Sequence, residues 1–195
     1  MTTRIAVFVF EGAEELDFVG PWEVLTVWAK SFDDDVEVFT VAPTSEPVTC
    51  AKGLRVIPDH SLDTAPEFDV LVYPGGEGNR AHIGDEQIRK WLRASAERGA
   101  LMTSVCTGSL VYADAGLLDG RSATTHWMWT EVLGNLGTDI DVRPNDRFVD
   151  AGDVITAAGV SAGIDMALHL VARLASPERA REVKKYIQYD PAPPV

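Results

Sequence analysis

The chain has 195 residues, 46% of them hydrophobic and 24% charged, which suits one globular domain with a sizeable core. Its formal net charge of −13 argues against a nucleic-acid partner, because binding a phosphate backbone leaves a basic footprint. Two cysteines, Cys50 and Cys106, without CxxC or zinc spacing, exclude a disulfide scaffold and point to a reducing cytoplasm. The first apolar run meets Glu11 too soon for a signal peptide, and none approaches the ~20 residues that cross a bilayer, so no membrane partner is expected.

Arg4–Phe10 is a near-continuous β-branched and aromatic run, the pattern of a strand covered on both faces. A turn at Glu11-Gly12-Ala13 leads to a helix from Asp17 to about Lys30, with Pro21 near its start. Val36–Ala42 is the second strand. Residues 43–58 read as a hairpin excursion, with Val48-Thr49-Cys50 and Leu54–Ile57 about a turn at Lys52-Gly53. Asp69–Tyr73 is the third core strand and ends in Pro74-Gly75-Gly76-Glu77-Gly78-Asn79. Asp85–Arg98 is helical, and Ala100–Val105 is the fourth core strand, leading through Cys106 to a helix at Thr107–Ala115. Ser122–Thr125 is a short strand, and His126 opens a helix to about Leu136. A hairpin spans Arg147–Val149 and Asp153–Ala157. Helices follow at Ser161–Ala175 and from Pro177 to about Gln188, and the proline-rich tail 189–195 is not helical. The alternation predicts an α/β sandwich with a mainly parallel sheet and helices on both faces, binding its ligand beyond the carboxyl ends of the strands.

Three strand ends should converge there: the turn after Phe10, the Gly75-Gly76 loop and Cys106. An apolar run that stops at Cys106 and continues as Thr107-Gly108-Ser109 into a helix has the pattern of a nucleophile elbow. The following helix N-terminus should favour thiolate over thiol. Asp17 is an ordinary helix N-cap or, beside Cys106, an acid–base partner; a carboxylate next to a thiolate requires one of the two to hold a proton. The Gly75 and Gly76 N–H groups can face a developing negative charge, or simply make a turn. The Thr107 hydroxyl can bond an intermediate or cap the helix. His126 is the histidine placed near the cleft, structural or paired with the cysteine, whereas His60, His82 and His169 are too dispersed for a metal site. Trp127 and Trp129 read as core or interface, and Cys50 as inert.

Several segments together resemble the ThiJ/PfpI superfamily: Gly12-Ala-Glu-Glu-Leu-Asp17-Phe-Val-Gly-Pro21, Val72-Tyr-Pro-Gly-Gly76, Thr103-Ser-Val-Cys-Thr-Gly-Ser109, Ala115–Trp127 and Ala162-Gly-Ile-Asp165. The Cys-Thr-Gly-Ser and Ala-Thr-Thr-His-Trp segments, with the terminal Pro-Ala-Pro-Pro, are similar to its isocyanide hydratase branch. The resemblance implies a class I glutamine-amidotransferase-like, flavodoxin-like fold. It further implies Cys106 as nucleophile, Asp17 as acid/base and Thr107 as hydrogen-bond partner of the intermediate. Small organic isocyanides would become N-substituted formamides through a thioimidate, with no metal or organic cofactor, in a homodimer.

Two departures narrow the activity. The protease-like branch places histidine after the cysteine, where this chain has Thr107, and the amidotransferases' late His-x-Glu is absent, since His169 precedes Val171 by two. A chain ending at Val195 leaves no room for the DNA-binding helices of the AraC-type regulators. The alternatives are a redox- or stress-responsive cysteine protein, a ligand-sensing domain, or a glyoxalase-like enzyme using His126 against α-oxoaldehydes.

Overall fold

In the computed structural model, which describes residues 2–191, the chain opens with β1 (Thr3–Phe8) and α1 (Glu15–Ser31). Then come β2 (Val36–Ala42), β3 (Val48–Thr49), β4 (Arg55–Val56), β5 (His60–Ser61) and β6 (Val70–Tyr73). A 3₁₀ turn at Glu77–Ala81 precedes α2 (Glu86–Glu97), β7 (Leu101–Val105) and α3 (Gly108–Asp114). The chain continues through β8 (Ser122–Ala123), a second 3₁₀ turn at Trp127–Trp129, α4 (Thr130–Leu136) and β9 (Asp141–Val142). It closes with β10 (Phe148–Asp150), β11 (Val154–Ala157), α5 (Ala162–Leu174) and α6 (Pro177–Tyr186). Residues 192–195, which carry most of the Pro-Ala-Pro-Pro likeness and of the tail reading, lie outside the described residues.

Seven strands form the central sheet in the order β10-β11-β7-β6-β1-β2-β5, parallel except for β10 against β11. β6 and β7 are buried along their whole length, as both-face coverage demands of continuous apolar strands. α1, α5 and α6 pack together. The α1–α5 crossing is close because two glycines sit in it. A Cβ on Gly20 would lie 2.9 Å from Ile164, and one on Gly163 would lie 3.1 Å from both Pro21 and Val105. Phe8 meets Trp91 of α2, and an aromatic group of Phe8, Phe10, Tyr73 and Tyr112 continues from it.

Several boundaries differ from expectation for local reasons. β1 stops at Phe8, although the Val9 N–H still donates to the Val41 carbonyl at 2.8 Å. α1 starts at Glu15, so Asp17 lies inside the first turn. The expected strand 122–125 is only Ser122–Ala123, because Thr124 and Thr125 turn their polar groups to Thr156 and Cys106. The helix expected from His126 is a 3₁₀ turn followed by α4, and the helix expected at Thr107 begins at Gly108. β5 and β9, two residues each, carry too little pattern to be read from sequence.

Candidate active site

Cys106 follows β7 with φ 58°, a left-handed conformation that costs a non-glycine residue energy. Hydrogen bonds on both sides hold it there. Its N–H donates to the carbonyls of Ala157 and Ala158 at 3.1 and 3.0 Å, and its carbonyl accepts from Ser109 Oγ at 3.1 Å and Thr125 Oγ1 at 2.9 Å. The helix behind it must begin with glycine, since a Cβ on Gly108 would lie 2.5 Å from the Tyr73 carbonyl oxygen. The result is the sharp strand-to-helix turn expected from the sequence.

Asp17 is fully buried and caps nothing. Its Oδ2 accepts the Gly75 N–H at 2.8 Å, Oδ1 has no hydrogen-bond partner among the described residues, and the Cys106 thiol is close enough to act on its titration. The Gly76 N–H donates to Thr107 Oγ1 at 3.1 Å, and Asn79 Nδ2 donates to Thr107 Oγ1 and to its carbonyl at 2.9 and 2.8 Å. Both loop N–H groups expected to face an oxyanion are therefore engaged, and the loop instead positions Asp17 and Thr107. With two donors on its oxygen, Thr107 keeps its own hydroxyl proton to give. It makes no cap bond to α3. Gly75 has to be glycine, because a Cβ there would lie 2.5 Å from Thr107 Oγ1 and 2.9 Å from Asp17 Oδ2.

Burial pushes Asp17 up to about 7, against the pull of the Gly75 N–H. Burial also pushes Cys106 up to about 12, with the Asp17 charge adding to the effect, although N–H groups of Thr107 and Val160 aimed at the sulfur pull it back. Burial and the adjacent carboxylate therefore oppose the thiolate expected from the helix N-terminus. Both shifts run upward, so burial and mutual repulsion keep a proton on the pair.

Cys106 and Thr107 line a cavity of about 460 Å³. His126 lines it too, lying against Gly159, where a Cβ would sit 2.4 Å from its ring, and accepting the Met128 N–H at Nδ1 (3.3 Å). No hydrogen bond joins His126 to Cys106 among the described residues. Trp129, expected in core or interface, is a wall of this cavity, whereas Trp127 is 72% exposed. Cys50 is buried in the hairpin and pushed up to about 11, consistent with inertness. No cluster of three or more metal-ligating side chains, and no helix long and apolar enough to cross a membrane, occurs among the described residues.

The DJ-1/PfpI family model matches residues 3–173. The chain belongs to the DJ-1/PfpI family. It is 38% identical to isonitrile hydratase of Pseudomonas putida over 194 residues, covering 100% of this chain and 82% of that protein. It is 28% identical to the glutathione-independent glyoxalase DJR-1.2 of Caenorhabditis elegans, over 90% of each chain. The crystal structure of a ThiJ/PfpI family protein from Pseudomonas syringae superposes with a TM-score of 0.90 at 33% identity, covering all of this chain and 78% of that one. The DJ-1/PfpI sheet, mostly parallel and flavodoxin-like with helices on both faces, is therefore the fold of this chain.

Within this family site, two participants escaped the sequence reading. Asn79, buried and doubly bonded to Thr107, carried the signal of a turn residue closing a glycine loop. Val160, a β-branched residue at φ 47°, turns its N–H to the sulfur from the β11–α5 connection, and nothing in its local pattern announces that.

Proposed function

We propose that the chain is a cysteine-dependent hydratase that converts small organic isocyanides to N-substituted formamides. The observation that carries this reading is the buried Asp17–Cys106 pair, with one shared proton, opening onto a mostly apolar cavity beside Thr107. The likeness to isonitrile hydratase supports it. As the sulfur bonds to the isocyanide carbon, Asp17 takes the thiol proton and returns it to that carbon, giving a thioimidate, Cys–S–CH=N–R. Asp17 then draws a proton from water as the hydroxyl adds to the carbon, and the nitrogen is protonated. The C–S bond breaks, the sulfur recovers its proton, and R–NH–CHO leaves, so one water is consumed and nothing is oxidised or reduced. Thr107 holds the intermediate through its free hydroxyl proton, and no step calls for a cofactor.

The test is formamide formation from benzyl isocyanide by wild type, Cys106→Ala and Asp17→Asn. Turnover by wild type that both variants lose supports the reading; wild type inert with a titratable Cys106 refutes it. A second reading, glyoxalase-like chemistry on α-oxoaldehydes, is favoured by His126 on the cavity wall and by the C. elegans relative. Lactate formed from methylglyoxal in the same preparation would select it. We also infer a homodimer, because Val19, Leu54 and Ile57 form an apolar surface with Phe18 and Trp22. Light scattering at twice the chain mass is expected, and a monomer refutes this part.

A further inference from the structure

We propose that α4, with Trp129 just before it, forms the subsite that selects the nitrogen substituent of the substrate, and that this subsite takes an uncharged alkyl or aryl group. The proposal rests on the hydratase reading and adds the half of the substrate that reading leaves open.

The cavity has two chemically different parts. Beside the sulfur stand small polar groups: Gly76, Asn79 and Thr107. Elsewhere the wall carries the apolar side chains of Ile83, Leu110, Trp129, Val132 and Leu136. Glu77, Arg80 and His126 are also on the lining. An isocyanide reacts at its terminal carbon, and the C–N–R axis is linear. With the carbon at Cys106 Sγ, the substituent is carried away from the sulfur and the polar groups beside it, which leaves the apolar part to receive it. The cavity volume lies within the range of small-molecule sites, roughly 300–1,000 Å³.

Charge sharpens the assignment. The charged groups at this cavity are already partnered: Arg80 reaches Glu77 at 3.7 Å and lies 5.8 Å over the Trp129 ring, and Glu14 pairs with Lys52. A carboxylate or ammonium on a substituent directed away from the Asp17–Cys106 pair would lose water without gaining an unpaired counter-charge. α4 is suited to tuning, because Leu133 is its one buried residue and none of its residues bonds to Asp17, Cys106 or Thr107.

The test is kcat/KM for methyl, n-butyl, n-hexyl and benzyl isocyanide and for isocyanoacetate, with wild type, Val132→Asp, Leu136→Ala and, as a control at the exposed end of α5, Leu174→Asp. For wild type we expect a rise of about fourfold per buried methylene, expressed in KM, with isocyanoacetate poorest. Val132→Asp flattens the series, Leu136→Ala reduces its slope, and Leu174→Asp, with the same change of charge, leaves the slope intact. Equal kcat/KM across the series, or an unchanged slope in Val132→Asp, overturns the subsite. Calorimetric binding of N-methyl- and N-hexylformamide to Cys106→Ala separates the two claims, since it needs no turnover. Chain-length-dependent binding weakened by Val132→Asp supports the subsite even if no isocyanide is hydrated, an outcome that would refute the hydratase reading alone. Binding indifferent to chain length overturns the subsite whether or not hydration occurs.

Discussion

At Asp17, function and stability pull in opposite directions. Its carboxyl titrates near 7 in the folded chain and near the ordinary 3.8 when unfolded. The protonated form is therefore the one the fold favours, and the stability it brings, complete below the unfolded value, is lost as pH rises through about 7. Asp17→Asn removes that loss while keeping an acceptor for the Gly75 N–H. At pH 8 the variant is expected to be more stable than wild type by up to about 4 kcal/mol, in denaturant titrations, with the gap shrinking as pH falls towards 4. It should lose about 10²–10⁴ in kcat for the proposed hydration. In the wild type, kcat/KM should climb tenfold per pH unit up to about 7 and then level, because only the ionised carboxyl accepts the thiol proton. A profile flat through pH 7 would contradict this assignment. Cys106 was legible in sequence as a candidate because it ends an unambiguous apolar strand, whereas Asp17, inside the first turn of α1, drew its role from the family likeness. Their protonation was not legible, because the burial that shifts both groups arises from segments far apart in the chain.

Among the elements, the crossing of α1 and α5 is the contact most sensitive to side-chain size. Gly163 is pressed between Pro21 and Val105, and the latter directly precedes the candidate nucleophile. Gly163→Leu should cost about 1–3 kcal/mol by overpacking, seen as a lower midpoint in urea, and should also displace the elbow enough to slow Cys106 alkylation. Full stability in this variant would show that the crossing relaxes. Core strands β1, β2, β6 and β7 were readable because unbroken apolar runs have few other fates. β5 and β9 were not, since a two-residue strand exists only because a neighbour offers its edge. The division of 126–136 into a 3₁₀ turn and α4 was equally hidden: His126 accepts the Met128 N–H, a local choice that leaves no periodicity.

The whole molecule carries a net charge of −13, while at the cavity Arg80 is paired with Glu77 and Glu14 with Lys52. Repulsion of anionic reagents is therefore a long-range effect, screened over about 10 Å at 0.1 M salt. Iodoacetate should modify Cys106 more slowly than iodoacetamide, beyond their intrinsic difference. Raising salt from about 10 mM to about 0.5 M should narrow that gap while leaving the iodoacetamide rate unchanged, as followed by peptide mass mapping. A salt-independent ratio would place the discrimination inside the cavity. Composition made the overall acidity plain from the outset, but only the fold reveals that Arg80, a cation of the cavity wall, is taken up by Glu77.

Asp17 has no exposed surface, and the cavity is lined by Cys106 and Thr107 in front of it. In the proposed hydration, the hydrogen that travels from the sulfur to the substrate carbon through this carboxyl starts on the protein, before any water is drawn on. It leaves an isotopic trace. Enzyme equilibrated in D₂O and diluted into H₂O at the start of a single turnover should release formamide with more deuterium on the formyl carbon than the final solvent contains. A label equal to that of the solvent would mean that the pair exchanges faster than it reacts.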